Sequence, residues 1–88
     1  MKLNYQIDLQ ELGEMVVAVV RDPDTKKVVH AYKMNETGAF IVNQLNAGCD
    51  EECIAKRLSE EFDISLELAT QEVHDFIDML KNKGFIGE

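Results

Sequence analysis

Two cysteines, two histidines, two serines and seventeen carboxylates are the side chains of this 88-residue chain with obvious chemical potential. Cys49 and Cys53 stand four apart in "GCDEECIA", a spacing that sets both thiols on neighbouring turns of a helix starting there. Zinc would need two further ligands, and the separations to His30 and His74 match no zinc pattern. The pair reads as Cys53 in a small buried apolar place and Cys49 in a loop, with no disulfide. Nucleophilic catalysis needs a base beside a hydroxyl. Ser59 and Ser65 fall among helix-capping and surface residues, and neither histidine has a motif partner. His30 lies in a strand, and His74, after Val73, is expected to face solvent. Gly13, Gly38, Gly48, Gly84 and Gly87 are too scattered for a phosphate loop. The carboxylates read as solvated helix faces. No catalytic residue, cofactor or metal site is expected, which leaves a binding module.

The elements that would carry such a module are legible. "LNYQIDLQEL" alternates Leu3, Tyr5, Ile7 and Leu9 with polar residues, the period of a half-buried strand. A second strand, "EMVVAVV", leads through the turn residues Asp22-Pro23-Asp24-Thr25 into a third, "VVHAYKM". In that strand Val28, His30, Tyr32 and Met34 are expected toward the helices, with Val29, Ala31 and Lys33 on the other face. Asn35, Asp50 and Ser65 each precede a helical pattern as N-caps, and Gly48 and Gly84 stop the first and third helices. Ile54, Leu58 and Phe62 form one apolar stripe; Ala69, Val73, Phe76, Ile77 and Leu80 form another. The expected order is β-β-β-α-α-α: an α+β fold, winged helix-turn-helix-like, in one domain over 1–88, with the sheet in 1–34 and three helices in 35–88.

Charge narrows the function. The net charge of −8 lies wholly in residues 35–88, which hold twelve acidic against four basic residues. A DNA reader of this shape must neutralise phosphates, and these helices would repel them. No apolar run approaches a membrane span and the N-terminus lacks a signal-peptide core, so a cytoplasmic protein is expected.

Three segments, "KMNETGAFIVNQL", "GCDEECIAKRLSEEFDIS" and "EVHDFIDMLKNKGFI", together resemble the PqqD family in order and spacing. They carry its Leu-Asn-x-Thr-Gly/Ala type of motif after the third strand, its "EEIAxxLxxEY" kind of second helix and its "FLxxLxxxGLI" kind of third. Met34 stands where leucine is usual, and Phe62 where tyrosine or phenylalanine occurs. The family comprises small RiPP recognition elements, named after a protein of pyrroloquinoline quinone biosynthesis.

The resemblance implies a peptide chaperone without chemistry of its own. It would bind the leader of a ribosomally made precursor and present it to a modifying enzyme, often a radical S-adenosylmethionine protein. The leader would add a strand along Val28, Val29, His30, Ala31, Tyr32 and Lys33, and lay side chains against Ala69, Glu72, Val73 and Phe76 of the third helix. Glu72 would meet a basic or polar leader residue. Tyr32, Val73 and Phe76 equally suit the core, and Asn35 and Thr37 suit a helix start. A free edge also allows a homodimer. The other class of function is an acidic winged-helix adaptor docking through its negative helices.

Overall fold

The computed structural model describes residues 2–87. Strands β2 (Gln6–Leu12), β3 (Met15–Arg21) and β4 (Val28–Met34) form an antiparallel sheet in that order, followed by helices α1 (Glu36–Asn46), α2 (Glu51–Phe62) and α3 (Leu66–Asn82). This is the expected three-stranded sheet followed by three helices. The expected first strand is interrupted: Lys2–Leu3 is a separate strand, β1, paired with β5 (Ile86–Gly87). The break follows from Asn4, whose amide donates to the Phe85 carbonyl (2.8 Å) and whose side chain donates to Gly84 O (3.2 Å). Both ends of the chain thereby meet.

All three anticipated caps form. Asn35 Oδ1 accepts from Gly38 N at 2.7 Å, Asp50 Oδ1 from Cys53 N at 2.8 Å and Ser65 Oγ from Leu68 N at 3.1 Å. Each satisfies an amide that the first helical turn leaves without a partner. The β3–β4 turn is locked by Asp22, whose Oδ1 accepts from the amides of Asp24 and Thr25, both at 2.9 Å. Those amides, Thr25's first, hold the Asp22 carboxyl below the usual carboxylate range.

Ile7, Ala18 and Val20 of the sheet meet the buried faces of all three helices in one apolar core. The stripes anticipated for α2 and α3 supply Ile54, Leu58, Ala69, Val73, Ile77 and Leu80. Phe62 sits at the margin, edge-on to Phe40. Asn46 ties α1 to the sheet by donating to Ile7 O at 2.8 Å. Cys49 lies in the loop before α2, as expected, and both cysteines are half-buried. Cys49 packs against the margin of the core and receives a bond from Arg57 Nη1 at 2.9 Å, and Cys53 stands in the first turn of α2. Among the described residues no group of His, Cys, Asp and Glu could hold a metal ion, and no helix is long and apolar enough to cross a membrane.

Leu58 has no exposed surface, while Leu66 is 56% exposed. Leu58→Ala should lower unfolding free energy in urea by about 3 kcal/mol. Leu66→Ala should change it by less than about 0.5 kcal/mol. Similar losses at both positions would contradict the described core.

Candidate functional site

Strand β4 is an edge of the sheet: β3 lies on one side of it and, among the described residues, no strand lies on the other. Its main-chain donors and acceptors on that side are open to a further strand. The strand is fixed at its C-terminal end because Asn35, the next residue, caps α1. At its other end a bulge opposite Val20 and Arg21 inserts Val29, which leaves the partners His30↔Val20 and Val28↔Arg21. The bulge shifts the alternation by one residue. Val28 therefore pairs with Arg21, away from the helices, and not on the inner face expected for it; it is exposed, as is Val29. His30, Tyr32 and Met34 keep the inner face, opposite Val20, Ala18 and Val16.

Between β4 and α3 lies an apolar groove enclosing about 260 Å³. Its floor is Ile7, Ala18, Val20 and Val42; one wall is Tyr32, Lys33, Met34 and Asn35, and the other is Phe76, Met79, Leu80 and Lys83, with Phe85 at the closed end. The groove exists because α3 packs on α2 and does not lie against β4. Three rings crowd its closed end: Phe85 approaches His30 at 5.5 Å and Tyr32 at 6.2 Å, and His30 stacks on Tyr32 at 5.7 Å. Lys83 Nζ stands 5.0 Å from the centre of the Tyr32 ring. At the other end Gly38 lets α1 approach closely. A Cβ there would come within 2.8 Å of the Met34 terminal methyl and 3.2 Å of Phe76 Cε1. The methionine methyl can withdraw, but the capping Asn35 Oδ1 at 3.1 Å and the Phe76 ring would also have to give for any side chain here.

Of the ten anticipated residues, Tyr32, Lys33 and Phe76 line this groove. Val28, Val29, His30 and Ala31 lie along the exposed strand. Ala69 and Val73 are wholly buried in the core, and Glu72 is exposed one turn before Phe76. Met79, Lys83 and Phe85 were not anticipated. The signal for the first two was the i, i+3, i+7 spacing from Phe76, a stripe of α3 offset from the buried one.

The acidic helices are joined by a different contact. His74, expected to face solvent without a partner, is exposed but bridges α2 and α3: Nδ1 lies 3.1 Å from Glu51 Oε1 and Nε2 3.3 Å from Asp78 Oδ2. Glu51 first and then Asp78 raise the His74 pKa above the ordinary imidazole value. The folded state thus holds this proton more tightly than the unfolded chain. The resulting stabilisation is full below the unfolded value, about pH 6.5, and is lost as pH rises through the raised folded value. Melting of wild type and His74→Asn compared between about pH 5.5 and 8.5 should show the wild-type advantage shrinking with rising pH. An advantage that is constant or grows would refute the bridge.

A solved structure of TbiB1 in complex with the TbiA(beta) leader peptide superposes with a TM-score of 0.71 at 20% sequence identity, covering 97% of this chain and 93% of that one. At that identity the likeness establishes the shared fold. No curated protein matches the sequence. Residues 17–86, from the middle of β3 to β5, match the family described as coenzyme PQQ synthesis protein D, and the chain therefore belongs to the PqqD family.

Proposed function

We propose that this protein captures the leader segment of a ribosomally synthesised precursor peptide and presents the rest of that peptide to a modifying enzyme. The observation that carries the proposal is the coincidence of an unpaired strand edge with a preformed apolar groove along it. An extended peptide takes main-chain hydrogen bonds from such an edge and specificity from every second side chain, which falls into the groove. Membership of the PqqD family and the fold shared with a protein solved bound to a leader peptide support this reading.

The ten anticipated residues divide accordingly. Val28, Val29, His30, Ala31, Tyr32 and Lys33 offer the edge, with Tyr32, Lys33 and Phe76 reaching the groove. Ala69 and Val73 act from beneath, holding α3 in place, and Glu72, exposed one turn before Phe76, is open to a basic or polar leader residue. The module performs no chemistry itself, and its partner enzyme is a radical S-adenosylmethionine protein acting in the cytoplasm. A homodimer through the same edge would compete with the leader.

A labelled synthetic peptide covering the N-terminal half of a precursor encoded beside this gene tests the proposal by fluorescence anisotropy. Saturable binding is expected. Met79 is 39% exposed on the groove wall, so Met79→Gln should weaken binding about tenfold without lowering the melting temperature appreciably. Binding indifferent to Met79→Gln but abolished by charge reversal on α2 would favour the acidic adaptor.

A further inference from the structure

The charges of this protein are segregated around the groove. Residues 25–35 and 79–87 hold five of its nine basic residues and none of its seventeen acidic ones. The first segment is β4 with its entering turn; the second is the end of α3 with the return through Phe85. The first gives Tyr32–Asn35 to one wall of the groove, and the second gives Met79, Leu80, Lys83 and Phe85 to the other side. In a molecule of net charge −8, the residues lining the groove thus include two lysines and no carboxylate.

Two of the five cations border the groove: Lys83 at the end of α3, and Lys33 on β4, where it pairs with Val17 on the face away from the helices. Lys26 is turned away, its ammonium donating to Gln6 Oε1 at 3.3 Å. Lys83 rests above the Tyr32 ring. Among the described residues the ion pairs join Arg21 with Asp8 and His74 with Glu51 and Asp78, and none includes Lys83. An exposed ammonium on an aromatic face is held weakly and is readily exchanged for a carboxylate. Glu72 is exposed on α3 one turn before Phe76, outside the groove lining. Charge along α3 therefore changes sign, from Glu72 one turn before Phe76 to Lys83 beside Tyr32.

We propose that the peptide bound along β4 carries an acidic side chain beside its apolar anchor, and that Lys83 receives it. The proposal rests on the peptide-capture reading and adds the chemistry of the captured segment. As the peptide docks, Lys83 leaves the Tyr32 face for the carboxylate, which opens the groove end for the neighbouring apolar side chain. Glu72, a turn before Phe76, disfavours the same carboxylate at the opposite position, so charge biases the direction in which the strand lies.

A displayed library of random twelve-residue peptides, selected separately on the full chain and on Lys83→Glu, tests this. Wild type should enrich Asp or Glu at a fixed spacing from a Leu, Ile, Phe or Tyr, and Lys83→Glu should enrich Lys or Arg at that spacing. In a selected peptide, replacing the acid by its amide should weaken binding to wild type about three- to tenfold. The same replacement should change little on Lys83→Ala, while Lys81→Ala should behave as wild type. Peptides weakened by Met79→Gln, but with no acidic preference or with equal amide effects on wild type and Lys83→Ala, would overturn the role of Lys83 and leave peptide capture standing. Selected peptides indifferent to Met79→Gln would overturn both.

Discussion

The groove depends on the packing of one ring, that of Phe85. It is almost wholly buried, meets Tyr5 edge-on at 5.5 Å and lies against His30 and Tyr32, so it touches the N-terminal segment and β4 at once. Its own backbone fixes it twice, through Phe85 N to Leu80 O at 2.9 Å and through its carbonyl to Asn4. The turn that delivers it is at Gly84, with φ of +79°, a conformation costly for any residue with a side chain. Phe85 thus joins α3 to β4 at one end only. Along the remaining length the two elements stay apart, and the core beneath is lined by small and branched residues that leave the space open.

The other boundary of the groove follows from the abrupt passage of strand into helix. Asn35 caps α1 immediately after Met34, which allows no slack in β4. An edge strand pinned in this way keeps its backbone groups oriented without a partner, and an incoming segment then loses less order on binding than one that must also organise its host. Charge adds a second level of selection: acidic α2 and α3 faces discourage phosphate backbones, while the lysines about the groove favour an acidic guest.

What was legible in the sequence was what short-range chemistry decides. Asn35, Asp50 and Ser65 cap their helices through bonds spanning three residues, and the Asp22 turn closes within itself, so composition and position suffice to find them. The β4 edge was legible because a meander of three strands must leave its last strand unpaired on one side. What escaped depends on distant partners. The β1–β5 pairing joins the two ends of the chain, and nothing in "MKLN" announces it. Periodicity identified the apolar stripes of α3 but not which neighbour covers each. Ala69 and Val73 face the core, and the adjoining stripe of Phe76, Met79 and Lys83 faces the groove. The bulge at Val29, which turns Val28 outward, likewise has no signal in a run of β-branched residues.

The most direct test of peptide capture by strand addition is an isotope-filtered NOE experiment on the labelled protein with unlabelled leader peptide. Regular cross-strand contacts between peptide backbone protons and those of Val28–Met34, together with peptide side-chain contacts to Phe76 and Met79, are predicted. Contacts confined to α2 or to the β2–β3 hairpin, with β4 unaffected, would contradict it.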